Sequence, residues 1–145
     1  MYEILIVGGG PAGLTAAIYA ARAGKHVAVL ERGSTGGQII SAPLVENYPG
    51  IPSVSGTELA RQMTEQACTF GAEIVYTEAV GLEKTPAGFR VLCTDGVREA
   101  KTVILATGAA HRSLGLAAED ALTGCGVSYC AVCDGAFYEG LDVAV

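Results

Sequence analysis

A glycine-rich loop between a predicted buried strand and a predicted helix most constrains how this chain can fold. Residues 2–7 form a predominantly apolar run, which is typical of a strand in a parallel sheet. Residues 12–24 are rich in alanine and leucine and end at a glycine, which predicts a helix. Residues 27–30 form a second apolar run. The sequence therefore predicts a strand–helix–strand unit with a glycine loop at its first turn.

The spacing of the loop glycines suits a bound pyrophosphate. Gly8 allows the tight turn, Gly10 lets the backbone approach the ligand, and Gly13 lets helix and strand pack closely. The N-terminus of the helix supplies N–H donors. Glu31 ends the second strand, where a carboxylate can accept hydrogen bonds from both ribose hydroxyls and repels a 2′-phosphate. The site favours FAD or NAD over NADP; the alternative is a tight turn in a protein that binds no nucleotide.

Composition and charge narrow the classes of partner. The chain has 145 residues, half of them hydrophobic and 20 of them glycine, which fits a compact α/β protein. Its net charge is −6 and it has no basic run, so we expect no nucleic-acid partner. No apolar stretch has the length of a membrane span, and the first residues are typical of a strand and not of a signal peptide. We expect a cytoplasmic protein without a membrane partner.

The remaining elements are predicted from periodicity and turn residues. Ser55–Glu58 has the form of a capping box, and apolar residues at helical spacing continue to Phe70. The residues expected to face the core of this helix are Leu59, Met63, Ala67 and Phe70. Further strands are predicted at 74–76, 80–83, 89–93, 97–99 and 103–106, and residues 143–145 are expected to open another strand.

Three loop segments give weaker signals for a ligand. Gly37 and Gln38 offer close backbone approach and an amide, Asn47 lies before a Pro-Gly pair, and Thr107-Gly108 follows a buried strand. Each of these segments also fits an ordinary turn.

A pair of cysteines supplies the second chemical feature. Cys130 and Cys133 are two residues apart, so one sulfur can attack a foreign disulfide while the other resolves the intermediate. Asp134 follows directly and can exchange a proton with a departing thiolate, although Asp-Gly is also a common turn pair. A dinucleotide loop and a dithiol in one chain indicate electron transfer from a nucleotide cofactor to a disulfide.

A metal site is the competing interpretation of the cysteines. Cys125, Cys130 and Cys133 have the spacing of three ligands in plant-type [2Fe–2S] ferredoxins, but no fourth cysteine follows. Zinc also lacks a fourth nearby ligand. We therefore expect no metal, and we expect Cys68 and Cys93 to fill core space.

Taken in order, these motifs resemble the low-molecular-weight thioredoxin reductases, and the dithiol block from Cys130 to Tyr138 is the most specific of them. The resemblance implies an α/β fold: a Rossmann-like FAD-binding domain with three layers, a parallel sheet and a β-meander, followed by the start of a second nucleotide-binding domain. It assigns residues 1–112 to FAD, and residues 113–145 to the beginning of an NADPH-binding domain that carries the dithiol.

The resemblance also implies roles for individual residues. Cys133 would face the flavin, Cys130 would attack thioredoxin, and Asp134 would be the acid–base group. Electrons would pass from NADPH through FAD and the Cys130–Cys133 disulfide to thioredoxin. The residues implied to line the FAD site are Gly8, Gly10, Pro11, Ala12, Gly13, Glu31, Gly37, Gln38, Asn47, Ala106, Thr107 and Gly108.

The chain departs from the pattern by stopping at Val145, before the glycine loop of the NADPH domain. We expect an N-terminal fragment that does not oxidise NADPH alone, and a homodimer in the full-length form. Two alternatives stay open: a related reductase that uses ferredoxin or a deazaflavin as donor, and an FAD-binding module without turnover.

Overall fold

The computed structural model describes all 145 residues and divides into two compact units, Met1–Gly108 and Ala109–Val145. The expected assignment of residues 1–112 to FAD and of 113–145 to NADPH stays a prediction. No helix in the structure has the length and apolar character needed to cross a membrane.

The first unit is built on one six-stranded mixed sheet with the strand order β3-β2-β1-β6-β5-β4. The strands β3, β2, β1 and β6 run parallel, whereas β6, β5 and β4 form an antiparallel meander. The strands are β1 (Tyr2–Val7), β2 (Val27–Glu31), β3 (Glu73–Tyr76), β4 (Ala79–Thr85), β5 (Gly88–Cys93) and β6 (Gly96–Leu105).

Alternate residues of the parallel strands point into two separate cores. Ile6 and Val29 pack in one cluster with residues of the helices α1 (Pro11–Arg22) and α2 (Gly56–Thr69). Leu5 and Leu30 pack in the other with residues of the meander, among them Val91. Because side chains alternate along a strand, the parallel part of the sheet lies between the helices and the meander strand β5. The predicted three-layer α/β fold is confirmed.

The capping box predicted at the start of helix α2 is confirmed in part. The Ser55 hydroxyl accepts a hydrogen bond from the N–H of Glu58 at 3.2 Å, as in a capping box. The Glu58 carboxylate, however, pairs with Arg61 and Gln62, so the reciprocal half of the box is absent. The three core residues Leu59, Met63 and Ala67 are buried as predicted.

Two side chains near the end of α2 were placed wrongly by the sequence. Phe70 is 42% exposed and lies under the guanidinium of Arg22, at 5.5 Å from ring centre to Cζ. Cys68 is exposed because it follows the buried Ala67 by one residue and so points away from the core, whereas Cys93 is buried as expected.

Two strand predictions also need correction. The predicted strands 97–99 and 103–106 are one strand, β6, because its first half pairs with β5 and its second half pairs with β1. The hydrogen bonds to these two neighbouring strands keep the polar middle residues of β6 in the strand. Residues 143–145 form no strand, and Val143 and Val145 are exposed without a neighbouring strand.

The second unit contains two short helices, α3 (Glu119–Leu122) and α4 (Ala131–Asp134), and a 3₁₀ turn at Gly135–Tyr138. Glu119 is buried and accepts hydrogen bonds from three successive backbone N–H groups, those of Leu114, Gly115 and Leu116. Burial raises the pKa of Glu119, but the three N–H donors outweigh it and hold the pKa below its ordinary value.

Candidate nucleotide-binding loop and redox disulfide

Gly8 and Gly13 are required by the packing of the protein itself. Gly8 has a φ of +107°, and a Cβ atom there would lie 2.2 Å from the carbonyl oxygen of Ala106. A Cβ atom on Gly13 would lie 1.9 Å from the carbonyl oxygen of Gly8, where helix α1 meets the end of β1. Neither position has room for a side chain, which confirms the tight turn and the close packing predicted for this loop.

Gly10 differs from both, because no protein atom would clash with a side chain at this position. Its φ is −74°, and the nearest atoms to a Cβ there would be 4.0 Å away. It is the N-cap of α1 and carries no side chain to cap the helix, whose first N–H groups lack intrahelical partners. Pro11 and Ala12 open the helix beside it. Backbone N–H groups that face open space at a helix N-terminus can bind an anionic group.

Glu31 lies over the same loop. Its Oε2 accepts a hydrogen bond from the N–H of Gly9 at 2.7 Å, and its Oε1 accepts one from the N–H of Gly33 at 2.8 Å. These two bonds fix the carboxylate, and each oxygen keeps a further lone pair for a donor such as a ribose hydroxyl.

A second glycine turn packs on the first. The N–H of Gly36 donates to the carbonyl oxygen of Gly9 at 2.7 Å, and a Cβ atom on Gly37 would lie 3.4 Å from the Cα of Gly10. Gly37 therefore adjoins the predicted pyrophosphate loop. Gln38 follows in the 3₁₀ helix Gly37–Ser41, and Asn47 is exposed in the loop after it.

Residues 106–108 end at the same edge of the sheet. The N–H of Ala106 donates to the carbonyl oxygen of Val7 at 2.8 Å, so Thr107 and Gly108 follow directly beyond the ends of β1 and β6. The glycine loop, Glu31 and these residues thus meet at the carboxyl ends of three parallel strands. Ligands of open α/β sheets bind at such edges.

The second unit holds Cys130 and Cys133 as a disulfide, with their Cα atoms 5.2 Å apart. Cys130 is the N-cap of α4, and its sulfur accepts a hydrogen bond from the N–H of Cys133 at 3.2 Å. A donor at this position also stabilises negative charge on the same sulfur after reduction.

Ser128 was not singled out by the sequence, yet it contacts both ends of the disulfide segment. Its hydroxyl donates to Oδ2 of Asp134 at 2.6 Å and accepts from the N–H of Cys130 at 3.1 Å. The N–H of Asp134 in turn donates to the carbonyl oxygen of Cys130 at 3.0 Å. A serine two residues before a turn is the sequence signal that could have found it.

The other three cysteines form no disulfide. Cys68 and Cys125 are exposed thiols, and burial raises the pKa of the Cys93 thiol. No group of three or more His, Cys, Asp or Glu side chains in the structure could hold a metal ion.

Comparison with known proteins places this geometry in a family. The family described as pyridine nucleotide-disulphide oxidoreductase matches residues 2–145. The chain belongs to this family. A thioredoxin reductase of Listeria monocytogenes is 43% identical over 145 residues, which are all of this chain and 46% of that protein. This member of the pyridine nucleotide-disulphide oxidoreductases therefore spans about half the length of the curated relatives it matches.

Solved structures agree with the sequence comparison. A thioredoxin reductase from Streptococcus pyogenes is 50% identical with a TM-score of 0.83, covering 95% of this chain and 45% of that one. A ferredoxin-flavin thioredoxin reductase from Clostridium acetobutylicum is 36% identical with a TM-score of 0.71, covering 94% of this chain and 47% of that one. These relatives are all named thioredoxin reductases, and the name of the Clostridium protein adds ferredoxin and flavin.

Proposed function

We propose that this chain provides the FAD site and the redox disulfide of a cytoplasmic, homodimeric thioredoxin reductase that takes electrons from NADPH. The observation that carries the proposal is the Cys130–Cys133 disulfide in the same chain as the glycine loop and Glu31. The names of the relatives support thioredoxin as the partner. We assign no residue of this chain to the NADPH site, since the chain spans 46% of the relative from Listeria monocytogenes.

The residues of the first unit fit FAD. Gly10 and the start of α1 would face the pyrophosphate, and Glu31 would accept the ribose hydroxyls. When bound, FAD supplies a ring that delivers two electrons to a disulfide. We assign Gly37, Gln38, Asn47 and the segment Ala106–Gly108 to its remaining surface.

The residues of the second unit carry the exchange with thioredoxin. In the reduced chain, the Cys130 thiolate attacks one sulfur of the partner's disulfide, and the other partner sulfur leaves as a thiolate that takes up a proton. Cys133 then loses its proton and attacks Cys130, which re-forms the disulfide and releases the second partner thiol. Two electrons pass to the partner, and Asp134 accepts and returns the protons.

A second candidate function differs only in the electron donor. The likeness to a ferredoxin-flavin thioredoxin reductase favours reduced ferredoxin as an alternative source. The deazaflavin donor stays a prediction from the sequence. FAD, the disulfide and Asp134 keep their proposed roles in that case.

Two measurements on the 145-residue chain test the proposal. Titration with FAD, followed by flavin fluorescence, should show saturable binding that Glu31→Ala weakens about tenfold, the worth of about 1.4 kcal/mol. Glu46→Ala, in an exposed loop, is the matched control. Failure of the unaltered chain to bind FAD would overturn the flavoprotein assignment.

The second measurement assigns the two sulfurs. Cys133→Ser should trap a mixed disulfide with oxidised thioredoxin, because Cys130 can attack and nothing resolves the product. Cys130→Ser should trap none, and Cys125→Ser, which changes a free exposed thiol, should behave like the unaltered chain. Equal trapping by Cys130→Ser and Cys133→Ser would contradict the assigned order of attack.

A further inference from the structure

We propose that Ser128 is a positioning residue for the thiol–disulfide exchange: its hydroxyl holds the Asp134 carboxylate against the backbone of Cys130 and so fixes where Asp134 exchanges protons. The inference rests on the proposed function, because it assigns a supporting role at the same disulfide. Ser128 forms no hydrogen bond with either sulfur.

The hydrogen-bonding capacity of a serine decides the direction of this network. A hydroxyl has one proton to donate, and two acceptors lie near Ser128: Oδ2 of Asp134 at 2.6 Å and the carbonyl oxygen of Cys130 at 3.4 Å. The shorter bond ends on a carboxylate and has the length of a charge-assisted O–H···O⁻ bond. The proton of Ser128 therefore points to Asp134.

The same hydroxyl accepts the N–H of Cys130 at 3.1 Å. The result is a chain of donors from the Cys130 backbone through the Ser128 hydroxyl to the Asp134 carboxylate, and each bond polarises the next. The N–H of Asp134 closes the ring on the carbonyl oxygen of Cys130 at 3.0 Å. Asp134 is thus tied to Cys130 by its backbone and by its side chain.

Without the hydroxyl, the backbone tie remains but the carboxylate loses its only side-chain anchor in the network. It would then sample several rotamers, and proton exchange with a departing thiolate would lose a fixed geometry. Ser128 is exposed and small, so its replacement by alanine leaves no cavity. The effect should therefore appear in the exchange reaction and not in stability.

The test uses the reduced 145-residue chain carrying Cys68→Ser and Cys125→Ser, which removes the two other exposed thiols. It uses two small disulfides, so it needs neither FAD nor NADPH. 5,5′-Dithiobis(2-nitrobenzoate) releases an acidic thiol that leaves without a proton, whereas hydroxyethyl disulfide releases a basic thiolate that benefits from one. We expect Ser128→Ala to slow the exchange with hydroxyethyl disulfide about tenfold, part of the ~10²–10⁴-fold typical of general acid–base catalysis. The exchange with the aromatic disulfide should change less than about twofold.

Three further variants distinguish a positioning role of Ser128 from a purely structural one. Ser128→Thr retains the hydroxyl and should restore the rate. In an Asp134→Asn background, Ser128→Ala should have no further effect, because residues that act as a unit are not additive. If Ser128→Ala slows both disulfides equally, or is additive with Asp134→Asn, the positioning role is wrong. If Asp134→Asn alone is silent, the acid–base role of Asp134 in the proposed function fails instead.

Discussion

At the scale of single residues, the three glycines of the glycine loop are glycine for two different reasons. Gly13 is fixed by protein packing, since a Cβ there would lie 1.9 Å from a backbone oxygen. Gly10 has an ordinary φ and open space around it. The motif therefore combines a residue that the fold needs with one that protein packing does not explain.

This difference predicts opposite effects for two alanine substitutions. Gly13→Ala should lower the free energy of unfolding by about 1–3 kcal/mol, as overpacking does. Gly10→Ala should change it by less than about 0.5 kcal/mol but should weaken FAD binding about tenfold or more, because the methyl group occupies the space of the pyrophosphate. Urea unfolding and FAD titration of both variants measure the two effects.

Gly24→Ala serves as the control for strain outside the loop, because Gly24 has a φ of +71° and lies at the far end of α1. It should lose stability and keep its affinity for FAD. Loss of stability in Gly10→Ala, or unchanged FAD affinity, would show that Gly10 serves the fold and not a ligand.

The sequence predicted the tight turn at Gly8 and the close packing at Gly13, and it missed Ser128 for one physical reason. Gly8, Gly13 and Glu31 are placed by a strand–turn–helix whose geometry follows from local chain rules. The Ser128 contact with Asp134 depends on how the chain turns at the disulfide, and many serines lie near turns without such a contact. A pattern of residue types cannot fix that turn.

At the scale of elements, the first turn of α2 is held by a charged cluster. Both carboxylate oxygens of Glu58 accept hydrogen bonds from Arg61, and Gln62 donates a third. Hydrogen bonds from Arg61 and then Gln62 lower the pKa of Glu58 to about 2. A group whose pKa falls on folding stabilises the folded state above its ordinary value, 4.5, and loses that contribution as the pH falls toward about 2.

We therefore predict a pH-dependent difference between the unaltered chain and Glu58→Gln. The chain should be more stable than the variant above pH 5, and the difference should shrink as the pH falls, because protonated glutamate resembles glutamine. Urea unfolding between pH 5 and pH 2.5 measures it, and Glu46→Gln is the exposed control. A difference that stays constant with pH would contradict the lowered pKa of Glu58.

The elements themselves were predicted where their residues are apolar or helically spaced. Strands β1 and β2 follow from apolar runs, α1 from its alanine and leucine content, and α2 from helical spacing. Strand β6 was divided because the polar Lys101 and Thr102 lie between its two apolar segments. Their place in one strand comes from pairing with β5 and β1, which a sequence window does not contain. Likewise Phe70 has helical spacing but lies beyond the last buried turn of α2.

At the scale of the whole molecule, the two compact units differ in how they are held together. The first contains both hydrophobic clusters and all six strands, whereas the second contains short helices, the Glu119 carboxylate that binds three N–H groups, and the disulfide. Residues 107–116 follow the first unit's last strand, form no helix or strand, and are exposed. Proteases cut preferentially in such segments.

Limited digestion with trypsin should therefore cut first after Arg112, the last basic residue in the sequence. Arg61 and Arg90 are held in α2 and β5, so cuts at these residues require local unfolding. Lys25 and Arg32 lie in short turns and pair with Glu3 and Glu78, so cuts there should also come later. The product 1–112 should resist further digestion because both core clusters lie within it, and 113–145 should appear as one peptide by mass spectrometry. Arg112→Gln should abolish the first cut without speeding the others. A first cut at Arg61 or Arg90, or degradation of 1–112 as fast as it forms, would show that the first unit does not hold its structure through its own cores.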